Sequence, residues 1–326
     1  MYLADEWLAY EKELGFRPLI SGSVEEIRAG YNTLSDSIAA KLPAHDPSLK
    51  VYDKEISNAL SVRVYTPKEA TADNKLPLGV YAHGGGFVAG SVDASFEDFN
   101  CRYIAQHTPS ILVAVDFRLA PEHPVPAQVD DVLEAFLWAY TNCGDLHGDL
   151  SQCFLIGASV GGGLALAVAL KLIERDMRSA VAGIVALAPI TLHPEFVPAE
   201  FRASFVAYVE NAVGAPLIDR AAMYVFNAHN GADKMKDDPY VFPALHARKA
   251  ELPPVYLSTC GADPLRDDGT VIKLALDKYG VRNMLKNYEG LPHFFWIFPE
   301  IKTGDTFRAD SVDGVRFVLD RSRHVE

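Results

Sequence analysis

The stretch Cys153-Phe154-Leu155-Ile156-Gly157-Ala158-Ser159-Val160-Gly161-Gly162-Gly163, running on into Leu164 to Leu172, constrains this chain more than any other. A short apolar run stops at a glycine, one serine stands between small residues, and a long apolar run begins. That order predicts a strand, a sharp turn and a helix, with the Ser159 hydroxyl at the apex. Gly157-x-Ser159-x-Gly161 matches the nucleophile-elbow pattern, in which tight sterics lift a serine Oγ above the end of a sheet. Glycines two before and two after the serine let strand and helix approach a backbone bent back on itself. Alone, the motif also fits a plain strand-to-helix turn. Partners at other strand ends decide between the two.

Strands and helices alternate along most of the chain. Runs at Leu76 to Ala82, Ile111 to Val115, Ala182 to Ala188, Val255 to Thr259 and Met284 to Tyr288, most of them short, unbroken and apolar, read as strands of the kind buried on both faces. Leu60, Val62 and Val64 alternate with Ser61, Arg63 and Tyr65, as in a half-exposed antiparallel strand. Helical stretches fall around Phe96 to Gln106, Val129 to Tyr140, Gly161 to Glu174, Thr270 to Tyr279 and Asp305 to Arg321. The alternation implies a mostly parallel sheet with helices on both faces.

Two segments break the rhythm. Leu3, Trp7, Tyr10 and Leu14 form one helical stripe, and the capping box Ser23-x-x-Glu26 opens a second helix with Val24, Ile27, Tyr31, Leu34, Ile38 and Leu42 along one face. Both precede any strand. Between Pro189 and Pro254 the chain spends about sixty residues on mixed helix and loop rich in large aromatics, a length typical of a lid or binding element. The expected organisation is N-terminal cap helices over 1–48, core over 49–190, a cap insertion over 191–250 and the rest of the core over 251–326.

Composition narrows the partners. Among 326 residues, 49% hydrophobic and 22% charged describe an ordinary globular protein, and a net charge of −13 repels phosphate backbones and anionic membranes, so no nucleic acid and no membrane is expected. No apolar run reaches the ~18 residues of a membrane helix. The first sixteen residues carry Asp5, Glu6, Glu11 and Glu13 and lack the basic and apolar regions of a signal peptide, which points to a cytoplasmic enzyme. Cys101, Cys143, Cys153 and Cys260 are scattered, and no histidine, cysteine or carboxylate cluster has zinc-type spacing, so no metal is expected. Neither Gly84-Gly85-Gly86 nor Gly161-Gly162-Gly163 gives a dinucleotide fingerprint or a P-loop, so no cofactor is expected either.

A serine nucleophile needs a base. His293 follows the last strand in Gly290-Leu291-Pro292-His293-Phe294-Phe295-Trp296, a loop whose aromatics imply a partly buried imidazole. The orienting carboxylate belongs to Asp263, just beyond the Val255 strand, with Pro264 fixing the turn. Asp267 and Asp268 read better as acids at the start of the next helix. Acyl chemistry also needs donors for a developing oxyanion. His83-Gly84-Gly85-Gly86-Phe87 follows the Leu76 strand where such a loop belongs, and the donors are Gly85, Gly86 and, from the elbow, Val160. Oxyanion loop, Ser, Asp and His thus follow four predicted strands in order.

These motifs resemble the hormone-sensitive-lipase-like family of α/β-hydrolases over roughly Leu76 to Phe298. Asp116-Phe117-Arg118-Leu119-Ala120-Pro121-Glu122-His123-Pro124-Val125-Pro126 is similar to a second, mainly structural signature of that family. The resemblance implies an eight-stranded α/β-hydrolase sheet under a helical cap, and carboxylesterase activity on a small-molecule ester; a monomer or homodimer is expected. The Leu291 to Trp296 segment also resembles fungal secondary-metabolism esterases of the versiconal hemiacetal acetate type. The family commonly has aspartate, alanine and asparagine where this chain has Ala158, Val160 and Gly163. Phe87, Ala158, Phe205, Tyr208 and Phe294 are the expected substrate contacts. An aromatic cap favours modest acyl chains or a bulky aromatic alcohol over long-chain glycerides. Two alternatives stand beside hydrolysis: the same triad used for acyl transfer, lactone formation or cyclisation, and a non-catalytic small-molecule receptor, for which the family has precedent in the plant gibberellin receptors.

Overall fold

The runs read as strands all join one sheet, as inner strands except Met284 to Tyr288, which forms an edge strand with Met284, Lys286 and Asn287 exposed rather than buried on both faces. The computed structural model describes residues 1–320; Arg321, where the last helix is expected to end, and the remainder of 251–326 beyond it lie outside the described residues. In chain order the elements are α1 (Asp5–Leu14), α2 (Val24–Ala39), β1 (Leu49–Ser57), β2 (Leu60–Pro67), β3 (Leu76–Ala82), α3 (Ser95–His107), β4 (Ile111–Asp116), α4 (Ala127–Thr141), β5 (Gly148–Ala158) and α5 (Val160–Glu174). They continue with β6 (Gly183–Leu187), α6 (Ala207–Glu210), α7 (Arg220–Asn230), β7 (Val255–Cys260), α8 (Arg266–Lys278), β8 (Asn283–Tyr288) and α9 (Thr303–Leu319).

The eight strands lie in the order β1-β2-β4-β3-β5-β6-β7-β8. β2 runs antiparallel to both β1 and β4, and the other pairs are parallel. This is the α/β-hydrolase fold. The sequence reading misses β1, which is an edge strand with Lys50, Asp53, Lys54 and Glu55 exposed. Charge on an edge blocks pairing with other chains and removes the hydrophobic signature of a strand.

Register brings the functional loops to one edge. Ala82 pairs with Gly157, Ala158 with Leu187, and Cys260 with Tyr288. The loops after β3, β5, β7 and β8 therefore leave the sheet side by side, at the carboxyl ends where open α/β sheets bind ligands. Phe154, Leu155 and Ile156 of β5 are fully buried, and α5 behind them is buried along nearly its whole length. This rigid centre carries Ser159.

The N-terminal helices and the insertion between β6 and β7 sit over that edge. Trp7 and Tyr10 of α1 pack on Phe298, with ring centroids 5.5 and 5.1 Å away, and Ala4 N–H donates to the Gly290 carbonyl. The Ser23–Glu26 capping box starts α2, whose Tyr31 packs edge-on against Phe96 at 5.2 Å. Asp267 and Asp268 occupy the first turn of α8 and are also buried anchors. Asp267 accepts from the Val206 and Ala207 amides, and Asp268 from those of Thr191 and Leu192. Among the described residues no helix is long and apolar enough to cross a membrane.

Candidate active site

Ser159 has φ +57° and ψ −121°, a sparsely populated backbone state for a residue with a side chain. Close packing holds it there. A Cβ on Gly157 would overlap the Gly161 carbonyl, and one on Gly161 would overlap that of Ala82, so the turn can close only with glycine at both places. The Ser159 N–H donates to the Leu187 carbonyl at 2.8 Å, tying the elbow to β6. A side chain at Gly163 would run into the Ile190 carbonyl, so asparagine would not fit there without moving the β6 exit.

The three residues picked out by position are in hydrogen-bond contact. His293 Nε2 lies 2.9 Å from Ser159 Oγ, and His293 Nδ1 lies 2.6 Å from Asp263 Oδ2. A carboxylate only accepts, so the neutral imidazole carries its proton on Nδ1 and Nε2 accepts from the serine hydroxyl. Asp263 is fully buried, its Oδ1 accepts from Leu265 N–H at 2.8 Å, and Asn211 Nδ2 donates to its main-chain carbonyl at 2.9 Å. Both the direction and the base of the carboxylate are thereby fixed.

The loop after β3 is anchored from several sides. Gly84 N–H donates to Glu97 Oε1 at 3.0 Å, Asn230 Nδ2 to the Gly86 carbonyl at 3.1 Å, and Arg28 Nε to the Val88 carbonyl at 2.9 Å. Ala120 N–H, from the second signature, donates to the Phe87 carbonyl at 2.8 Å. Glu97, with 1% exposure, also accepts from the hydroxyls of Tyr81 and Tyr31. His83 stacks on Phe117 at 4.0 Å and donates from Nδ1 to the Gly84 carbonyl; burial lowers its pKa, which keeps the ring neutral. Gly85 and Gly86 have φ of +107° and +65°, and a Cβ on Gly85 would overlap the Ala89 carbonyl. Val160 is the first residue of α5, so its N–H has no partner within the helix.

Ser159, His293, Gly85, Gly86 and Val160 line one cavity, walled by apolar side chains that include Ile190, Met223, Phe226 and Phe294. Of the substrate contacts expected from sequence, Phe294 is there. Phe87 is not: at φ +65° it closes the Gly85–Ala89 turn, and its side chain belongs to the core. Ala158 is fully buried at the end of β5, paired with β6. Phe205 and Tyr208 stack on each other at 5.4 Å in a segment held by Asp267, beside the acid loop. Met223 and Phe226 of α7 take the place foreseen for them. The Asp219 N-cap and the i, i+3 spacing of these two side chains were the available signal. Tyr31, Leu34 and Ile20 from the N-terminal segment complete the wall.

A family described by the alpha/beta hydrolase fold matches residues 79–297, and the chain belongs to the hormone-sensitive-lipase-like α/β-hydrolases. It is a serine hydrolase of the carboxylic-ester class. It is 38% identical over 321 residues to a versiconal hemiacetal acetate esterase of Aspergillus parasiticus, covering 97% of this chain and 98% of the relative. It is 33% identical over 256 residues to the carboxylesterase NlhH of Mycobacterium tuberculosis, covering 76% of each. Among solved structures, vibralactone cyclase superposes with a TM-score of 0.87 at 27% identity, covering 98% of this chain and 95% of that one.

Proposed function

We propose that the protein hydrolyses esters of short carboxylic acids through an acyl-enzyme on Ser159. The observation that carries this reading is the unbroken line Asp263–His293–Ser159, ending in an apolar cavity that Gly85 and Gly86 also line. Ser159 Oγ attacks the ester carbonyl carbon as its proton passes to His293 Nε2, and Asp263 stabilises the imidazolium. The amides of Gly85, Gly86 and Val160 hold the tetrahedral oxyanion. The carbon–alcohol bond then breaks, the alcohol leaves with the proton from Nε2, and water repeats the sequence to release the acid and free Ser159. The N-terminal helices and the insertion act as a cap that excludes bulk water.

Cavity size supports a short acyl group. The space at Ser159 is about 50 Å³, and one water needs roughly 10–15 Å³ on this scale, so the site takes a few heavy atoms. Relatives named as esterases of an acetate ester agree with this size. A panel of esters with one alcohol and increasing acyl length tests it. Acetate to butyrate should lead, and Ser159→Ala should lower turnover by ~10⁴ or more. Preference for emulsified long-chain triglyceride would overturn the reading. A second outcome is favoured by the apolar wall, which leaves few polar groups to hold a hydrolytic water: transfer of the acyl group to an alcohol. Product analysis with alcohols present separates the two.

A further inference from the structure

The loop after β3 turns on two consecutive left-handed residues, Gly86 and Phe87, both at φ +65°. Glycine takes that state freely and phenylalanine only at a cost, so the turn persists because its surroundings hold it. Its carbonyls show how. That of Gly84 accepts from His83 Nδ1 at 2.7 Å, and that of Gly85 from the Val88 and Ala89 amides at 3.1 and 2.9 Å. The Phe87 carbonyl accepts from Ala120 N–H at 2.8 Å. The Gly86 carbonyl alone in this series depends on the insertion. Among the described residues its one donor is Asn230 Nδ2, at 3.1 Å. In a trans peptide the C=O and the following N–H point opposite ways. Carbonyls tied down outside the site thus leave the amides of Gly85 and Gly86 for the cavity that these residues line.

We propose that Asn230 is a positioning residue for the oxyanion hole: by holding the Gly86 carbonyl it keeps the loop amides aimed at the reacting oxygen. The proposal rests on the esterase reading above and deepens it. Asn230 is the last residue of α7, is 2% exposed, and uses both ends of its side chain. Its Oδ1 accepts from Ala232 N–H at 2.8 Å, which leaves Nδ2 to face Gly86. Its own carbonyl accepts from Val125 N–H at 3.0 Å, so the loop after β4 anchors this end of the helix. The donor therefore stands on a fixed base. Without it the Gly86–Phe87 peptide can rotate at Gly86, which has no Cβ to limit it. A rotated peptide disturbs the amides and turns a carbonyl dipole toward developing negative charge. That charge exists only on the way to and in the tetrahedral intermediate, so the effect belongs to kcat and not to ester binding. Met223 and Phe226 of the same helix line the cavity, so α7 both walls the site and holds its loop.

Asn230→Asp in the full-length protein separates this role from that of an ordinary helix end. A carboxylate still accepts from Ala232 N–H but cannot donate to Gly86. Asn230→Ala removes both bonds without burying a charge, and carries the test if the Asp variant does not fold. Each variant is assayed at a temperature where circular dichroism shows it folded. The quantities are kcat and KM on an acetate ester and the inhibition constant of a short-chain trifluoromethyl ketone. Ser159 Oγ adds to the ketone carbon, its proton passes to His293, and the oxygen left negative occupies the oxyanion hole. Outright loss of one oxyanion donor costs ~10²–10³ in turnover, so a misaimed loop should lower kcat ~10–10²-fold. The inhibition constant should rise by the same factor, with KM within ~3-fold of wild type. A folded variant with kcat within ~3-fold of wild type would overturn the proposal. So would a loss confined to KM, or a fall in kcat with the inhibition constant unchanged. If the wild type neither turns over the ester nor binds the ketone, it is the esterase reading that fails, so the two failures are told apart.

Discussion

Replacing Glu97 by alanine removes the acceptor for three buried donors at once: the Gly84 amide, the Tyr81 hydroxyl and the Tyr31 hydroxyl. Each orphaned buried polar group costs ~1–3 kcal/mol, and the Tyr31 bond, at 3.3 Å, belongs at the low end. The variant should therefore lose ~3–6 kcal/mol, a large share of the ~5–15 kcal/mol that holds a domain folded. Catalysis should suffer separately. The Gly84 bond orients the peptide that leads into Gly85 and Gly86, and losing one oxyanion donor outright costs ~10²–10³ in turnover. A loosened loop should cost less, ~10–10² in kcat with KM nearly unchanged, because the oxyanion forms only in the transition state. Glu97→Gln keeps an acceptor for Gly84 and should stay within ~3-fold of wild type. The assay is kcat and KM on an acetate ester, at a temperature where circular dichroism shows each variant folded. A folded Glu97→Ala with wild-type kcat would refute the argument, as would a Gln variant impaired as badly as Ala.

A side chain on Gly86 would overlap the Phe226 ring, so that ring packs directly on the oxyanion loop and limits the space beside Ser159. Phe226→Ala should raise kcat/KM for hexanoate and octanoate esters relative to acetate, at ~3–5 kcal/mol of stability, read as a lower Tm; unchanged acyl selectivity would contradict it. Burial pushes the Asp268 carboxyl well above the usual range, and its Oδ2 has no hydrogen-bond partner among the described residues. Above the ordinary carboxyl pKa of ~3.9 the folded chain then keeps a proton that the unfolded chain releases, so stability falls as pH rises toward the raised value. Asp268→Asn can still accept from Thr191 and Leu192, and it should flatten the fall of Tm between about pH 5 and 8 and raise Tm at the upper end. An unchanged slope would show that Asp268 is ionised in the fold.

Much of this was legible in the sequence because strands buried on both faces leave unbroken apolar runs, and because Ser159 and Asp263 sit just beyond two of them, with His293 in the loop after the edge strand β8. Ser159, Asp263 and His293 were readable by position alone, and the structure joins them by two hydrogen bonds. Edge strand β1 was not, since its exposed charges give it no periodic signal. The contacts of Glu97 with Tyr31 and Gly84 were hidden for another reason. They join residues 66 and 13 positions apart, on elements whose own patterns are satisfied without them. Aromatic content in the insertion pointed to Phe205 and Tyr208, yet Asp267 draws that segment toward the acid loop and leaves Met223 and Phe226 over the serine. Composition marks a binding element, but only packing says which face it shows.

Fluorophosphonate labelling followed by peptide mass spectrometry tests the central claim most directly. One equivalent should attach to Ser159, in the Gly157–Gly161 turn, with loss of ester hydrolysis in step with labelling and no adduct in Ser159→Ala. An adduct on another serine, or full ester turnover with Ser159 replaced, would contradict the account.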